Sequence, residues 1–180
     1  MGEYYLDIET YSTGVKPDPL SEKIITIQYQ KLSTSDGGIE SDLQVLTEWG
    51  FGSEREMLNA FRKVFLTERD FDFVPIGVNL YGFDLIAILA RLNYHFHLGL
   101  GLEFFRSRPA IDLKPILVMK NYGKFSTYRD SLGTKKESSN VKDWYESRDY
   151  QRIIDYVRQE SQNFIRLYQI LKRAIPEIRT

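Results

Sequence analysis

Cysteine is absent from this chain of 180 residues, which removes disulfides, thiolate metal sites and cysteine nucleophiles from consideration. Histidine is almost absent too. His95 and His97 are the whole complement, and their setting, RLNYHFHLGL, reads as a helix end and loop, not as a metal site. Neither sign of charge is in excess. With a formal net charge of −1 the chain is no basic nucleic-acid coat protein, and a polyanionic partner would have to be held by local positive patches and metal ions. No apolar run approaches the roughly 20 residues that cross a bilayer. Nor does a charged-then-apolar leader open the sequence, since the first acids arrive too early for a signal peptide. A cytoplasmic protein with no membrane partner is expected. With no internal repeat and no composition break, residues 1–180 are expected to form one domain, and 42% apolar content provides it with a substantial core.

Against these absences stands one dense signal near the start, Leu6-Asp7-Ile8-Glu9-Thr10 at the end of an apolar run. In an extended strand, positions i and i+2 share a face, so Asp7 and Glu9 are expected side by side. Two carboxylates held that close repel each other unless a cation lies between them or one takes up a proton. A magnesium or manganese ion, with its preference for hard oxygen ligands, suits that position.

Periodicity places this segment in an α/β chain. Tyr4–Ile8 reads as a first strand and Lys23–Gln30 as a second. The Gly37-Gly38 pair predicts a hairpin turn into an antiparallel third strand over Leu43–Thr47. Ser53 with Glu56 three residues on forms a capping box that opens a helix to about Leu66, with Met57, Leu58, Phe61, Val64 and Phe65 as its apolar stripe. Phe73–Val78 reads as a buried strand, although Pro75 counts against its pairing. A strongly apolar helix over Phe83–Leu92 follows. Pro109–Leu113 reads as a strand end and Lys114–Met119 as a helix. Gly123–Asn140, with its TKKESSN tract, reads as a surface loop, and a long helix runs from about Asp149 to Ala174. This order predicts a mixed sheet flanked by helices.

The second signal is Gly77-Val78-Asn79-Leu80-Tyr81-Gly82-Phe83-Asp84-Leu85. A buried strand delivers a turn, and Asp84 falls in the first turn of the next helix, where the dipole favours a carboxylate. Asp-Ile-Glu-Thr on a first strand, followed by Gly-x-Asn-x-x-x-Phe-Asp-Leu, resembles the first two motifs of the DEDD superfamily of 3′–5′ exonucleases. The likeness is nearest to stand-alone relatives of the proofreading domains of family B DNA polymerases. Ile111-Asp112-Leu113 and Leu132-Gly133 also fall where such domains place similar residues. The resemblance implies a ribonuclease H-like fold.

The superfamily carries a third motif on a late helix, a Tyr or His followed four residues later by Asp. Two segments compete for it. Tyr145-Glu146-Ser147-Arg148-Asp149 matches the letters but lies in the approach to the long helix. Tyr156-Val157-Arg158-Gln159-Glu160 has the right helix but ends in Glu. In one continuous helix residues 149 and 160 stand about 16 Å apart, so both cannot serve one site. Packing favours the second: Ile153, Tyr156, Glu160, Phe164, Leu167 and Leu171 recur at helical spacing as one inward stripe, and a carboxylate buried in it needs a partner.

By resemblance, Asp7, Glu9, Asp84 and Glu160 would hold two divalent cations, Mg2+ or Mn2+, with Asp7 touching both. Tyr156 would orient the attacking water. Backbone groups of Ile8 and Thr10, with Asn79 nearby, would meet the terminal nucleotide. The partner would be single-stranded DNA or RNA with a 3′ end. Two other readings stay open: a binding or scaffolding domain that keeps the fold with weakened metal competence, and a structure-selective endonuclease. Gly123–Thr127 lacks the spacing of a phosphate loop. Lys135 and Lys136 read as a solvated loop.

Overall fold

Strand β1 (Glu3–Tyr11) alternates between two buried faces, and this organises everything around it. The computed structural model describes residues 2–12, 17–67, 69, 71–120, 122 and 140–174. The expectations placed on Gly123–Thr127, Leu132-Gly133 and Lys135–Lys136 lie outside those residues. β1 pairs antiparallel with β2 (Lys23–Leu32), which pairs antiparallel with β3 (Gln44–Thr47). On its other side β1 pairs in parallel with β4 (Val74–Gly77), which pairs in parallel with β5 (Ile111–Asp112). The result is a five-stranded mixed sheet in the order β3-β2-β1-β4-β5, with helices on both faces, as the element order predicts.

Pro75 does take part in the sheet, opposite Tyr4. The Val74 N–H donates to the Gly2 carbonyl at 2.8 Å. Pro75, one residue on, therefore turns its donorless nitrogen the other way, where β5 begins only opposite Ile76. A proline is tolerated here because its neighbour on that side is so short.

On one face lie α2 (Glu54–Phe65) and α3 (Asp84–Phe96), packed on Leu6, Ile8, Ile24 and Ile27 through Met57, Phe61, Leu85 and Ile88. Ser53 caps α2 as expected, its Oγ accepting the Glu56 N–H at 3.2 Å. On the other face lie α5 (Lys114–Lys120) and the long α7 (Tyr150–Ala174), packed on Tyr5, Leu32 and Ile76 through Leu117, Phe164 and Leu167. Three short helices were not evident from periodicity: α1 (Glu48–Phe51), α4 (Leu102–Ser107) and α6 (Val141–Glu146). Each spans fewer than two turns, too few for an apolar stripe to repeat. Among the described residues no helix is long and apolar enough to cross a membrane.

Candidate functional site

The odd-numbered residues of β1 face α7, and the two elements run past each other in opposite directions. Tyr168 donates its hydroxyl to Glu3 at 2.7 Å. The Phe164 ring lies 4.9 Å from that of Tyr5. Glu160 then falls opposite Asp7 and Glu9, and one carboxylate oxygen from each of these three lies within 4.8 Å of the others. The match has a simple geometric cause. Four residues of helix advance about 6 Å, and two residues of strand advance about 6.6 Å. A helix repeating at i, i+4 therefore stays in step with a strand face repeating at i, i+2. Glu160 is buried, at 6% exposure.

Asp84 arrives from the opposite layer. β1 outlasts its pairing with β4, which ends at Tyr5–Ile76, so among the described residues that edge of β1 has no strand neighbour beyond this point. The turn after β4 folds over this edge. Asn79 adopts a left-handed backbone, φ 67°, and its carbonyl accepts the Gly82 and Phe83 N–H groups at 3.0 and 2.9 Å. Asp112, at the end of β5, ties the turn down. Its carboxylate accepts the N–H of Asn79 at 2.8 Å, of Tyr81 at 3.1 Å and of Lys114 at 2.9 Å. Lys114 Nζ donates to Asn79 Oδ1 at 2.7 Å. Asp84 thereby begins α3 with its carboxyl accepting the Ile8 N–H and in hydrogen-bond contact with the Asp7 carboxyl. Burial and the negative charge of Asp7 push the Asp84 carboxyl well above the usual carboxylate range. Two carboxyls in such contact need a shared proton or a cation.

Asp7 is the common member, in hydrogen-bond contact with Asp84 and within 4.8 Å, oxygen to oxygen, of Glu9 and Glu160. Its Oδ2 also accepts Gln28 Nε2 at 3.0 Å and the Tyr5 hydroxyl at 3.3 Å. Beyond Glu9 the ladder slips: Glu9 pairs with Thr26 but Thr10 pairs with Ile24. Ile25 is thus the extra residue of a bulge in β2, a device common beside functional sites.

The remaining sequence-predicted residues fall as follows. Tyr156 is buried one helical turn before Glu160, its ring 6.0 Å from that of Trp144. The Thr10 hydroxyl donates to the buried Glu22. Tyr145 donates its hydroxyl to Glu48 at 2.8 Å and accepts Lys23 Nζ at 2.9 Å. Asp149 pairs with Arg152 at 3.1 Å on the surface. His95 contacts the buried Glu54 at 2.9 Å, beside Arg91. The sequence carries the Asp112 segment within the resemblance but assigns it no role, and it does not single out Gln28, Tyr5 or Lys114 as partners of the site. A signal for Gln28 existed in the polar residues Thr26, Gln28 and Gln30 at alternate positions of a strand next to the acidic one.

Carboxylate oxygens with no thiolate or imidazole among them form a donor set suited to a hard divalent cation, and the Asp7–Asp84 contact is where positive charge is wanted. No family model matches the chain, and no curated protein matches it in sequence. Similarity is found among solved structures. A structure of exonuclease I concerned with how its processivity is achieved superposes with a TM-score of 0.55 at 12% identity, covering 78% of this chain and 37% of that one. E. coli exonuclease I in complex with a dT13 oligonucleotide gives 0.51 at 11% identity, covering 67% and 29%. A complex of exonuclease I with SSB-Ct gives 0.50 at 11% identity, covering 67% and 30%. The matched region thus spans between 29% and 37% of those chains. At such identity the likeness is one of fold, and the mixed sheet with its flanking helices is of the ribonuclease H-like kind seen in exonuclease I.

Proposed function

We propose that this protein is a metal-dependent 3′–5′ exonuclease that removes nucleoside monophosphates from the 3′ end of single-stranded DNA or RNA. The observation that carries the reading is the convergence on Asp7 of acids from three separate segments, Glu9 on β1, Asp84 at the start of α3 and Glu160 on α7. In this reading Asp7, Glu9, Asp84 and Glu160 would hold two Mg2+ or Mn2+ ions, which would supply a hydroxide at neutral pH and neutralise charge on the leaving 3′ oxygen. The protein's own groups do the rest. Tyr156, on the same buried face as Glu160, orients the attacking water. A phenol with an ordinary pKa near 10 positions a water at pH 7 and does not deprotonate it. Backbone groups of Ile8 and Thr10, with Asn79, receive the terminal nucleotide, while the Ile8 N–H keeps Asp84 in place. The reading takes residues 1–180 as a single domain acting in the cytoplasm.

Exonuclease I bound to an oligonucleotide shares this fold, which supports a single-stranded substrate. A relic with weakened metal competence was suggested by a Glu standing where the superfamily has Asp. The reach of Glu160 to Asp7 and Glu9 weighs against that alternative. The test is digestion of 5′-labelled single-stranded DNA and RNA with magnesium, manganese or chelator. The intact protein should shorten the strand stepwise only with metal, and Asp7→Ala should lose this while keeping its circular dichroism spectrum. Undiminished hydrolysis by Asp7→Ala overturns the assignment, and cutting of a circular substrate makes the enzyme an endonuclease.

A further inference from the structure

Thr26, Gln28 and Gln30 are 0%, 0% and 6% exposed on a strand whose other buried positions are apolar. Burying an amide or hydroxyl is unfavourable unless it is hydrogen-bonded, and an apolar side chain of the same size would fill the space without that requirement. Gln30 has a structural explanation. It accepts Ser161 Oγ at 3.2 Å and donates to the Ser41 carbonyl at 2.8 Å, fastening α7 and a loop to the sheet. Gln28 bonds instead within the sheet, to its own strand and to the acidic strand beside it. It stands directly opposite Asp7 in the antiparallel register. Its Nε2 donates to Asp7 Oδ2 at 3.0 Å, and its Oε1 accepts Thr26 Oγ1 at 3.0 Å. The Asp7 carboxylate only accepts, so it fixes which end of the amide is which: the NH2 end faces Asp7, and Oε1 is left to accept the Thr26 hydroxyl, which can donate or accept.

Two buried acids in the molecule are held by cations, and a third, Glu22, accepts the Thr10 hydroxyl and the Asp18 N–H. Glu54 is paired with Arg91, and Glu3 with Lys172 at 3.0 Å. Those pairings neutralise the carboxylate they orient. The donors that Gln28 and Tyr5 present to Asp7 are neutral, so these two bonds set its rotation without themselves neutralising it. We propose that Gln28 is a positioning residue: backed by Thr26, it turns the Asp7 carboxylate so that it meets Asp84 and the Glu9–Glu160 pair together, ready to bind divalent cations. This rests on the metal-dependent reading above.

Manganese titration by calorimetry tests it, with wild type, Gln28→Met and Thr26→Val compared at equal concentration and their folding verified by circular dichroism. Gln28→Met keeps the length of the side chain and removes both hydrogen bonds; loss of an outer partner of a metal ligand weakens affinity by about 10–100-fold. Thr26→Val should weaken it less and in the same direction. The KM for an oligonucleotide at saturating manganese should not change, which a general loosening of the fold would not spare. Equal manganese affinity in wild type and folded Gln28→Met overturns the role of Gln28 and leaves the nuclease reading standing. Should Gln28→Met fail to fold, unaltered affinity in Thr26→Val overturns it instead. Absence of manganese uptake by the wild type overturns the metal reading itself.

Discussion

Divalent cations should raise the thermal stability of this protein, and the size of the rise follows from the acid cluster. Without a cation, Asp84 is held at 5% exposure beside Asp7, and burial together with the Asp7 charge raises its pKa. A carboxyl whose folded pKa lies above its unfolded value favours the fold only while protonated. As the pH rises through the unfolded and then the folded value, that contribution is lost, so at pH 7 the pair works against folding. A cation that binds the folded chain alone adds RT ln(1 + [L]/Kd), about 2.7 kcal/mol at a hundredfold excess over Kd. In a chain of this size each kcal/mol moves Tm by about 2–4 °C, so the expected rise is about 5–11 °C. Melting curves at pH 7 in manganese, magnesium and chelator measure it directly. Asp84→Asn should melt above wild type in chelator, because it removes the repulsion, and should gain less from manganese. Asp7→Asn should gain little or nothing. Identical melting with manganese and with chelator, or an undiminished rise in Asp7→Asn, would refute the reasoning.

The two candidates for the third motif, Glu160 within the long helix and Asp149 just before it, can be told apart by activity. Glu160→Gln should lower hydrolysis by more than the roughly 100-fold that removal of an outer partner can cost, whereas Asp149→Asn, which loses only a surface pair with Arg152, should stay within about twofold. The reverse order would move the third motif to Tyr145 and Asp149. Breaking the buried Arg91–Glu54 pair with Arg91→Leu should cost about 3–5 kcal/mol in urea unfolding, because it strands a carboxylate. Burial pushes the Glu54 carboxyl up, but Arg91, His95 and the Ile24 N–H outweigh it and hold it below the ordinary value. Its stabilisation is therefore present above the ordinary Glu range and lost as the pH falls through the lowered value, so the penalty of Glu54→Gln should shrink below about pH 4. In Gly82→Ala the new Cβ would sit 2.2 Å from Asn79 Oδ1, an atom already engaged by Lys114. A cost of about 1–3 kcal/mol is expected from equilibrium unfolding, with a fall in kcat because the turn carries Asp84. Unchanged kcat would show that the turn shifts without moving that carboxyl.

The sequence alone determined what local physics can encode. Alternation marked β1 and β2, Gly37-Gly38 marked the hairpin, Ser53 marked the start of α2, and the acids at i, i+2 on a strand announced a shared face. The stripe through Ile153, Tyr156, Glu160 and Phe164 placed Glu160 inward, because helical periodicity is a property of the chain itself. Short helices such as α1, α4 and α6 stayed hidden, since a single turn of apolar residues carries no period.

What only the tertiary structure decided is which separate segments meet. That Asp84 touches Asp7 depends on β4 stopping short beside β1 and on Asp112 holding the intervening turn from a strand later in the chain. That Glu160 faces Asp7 and Glu9 depends on α7 crossing the sheet antiparallel to β1, in step through Tyr168 and Phe164. Gln28 was readable only as one polar residue among several until the register set it opposite Asp7. Spacing along a chain fixes the faces of an element, whereas partners across elements are chosen by packing and register, which no local pattern contains.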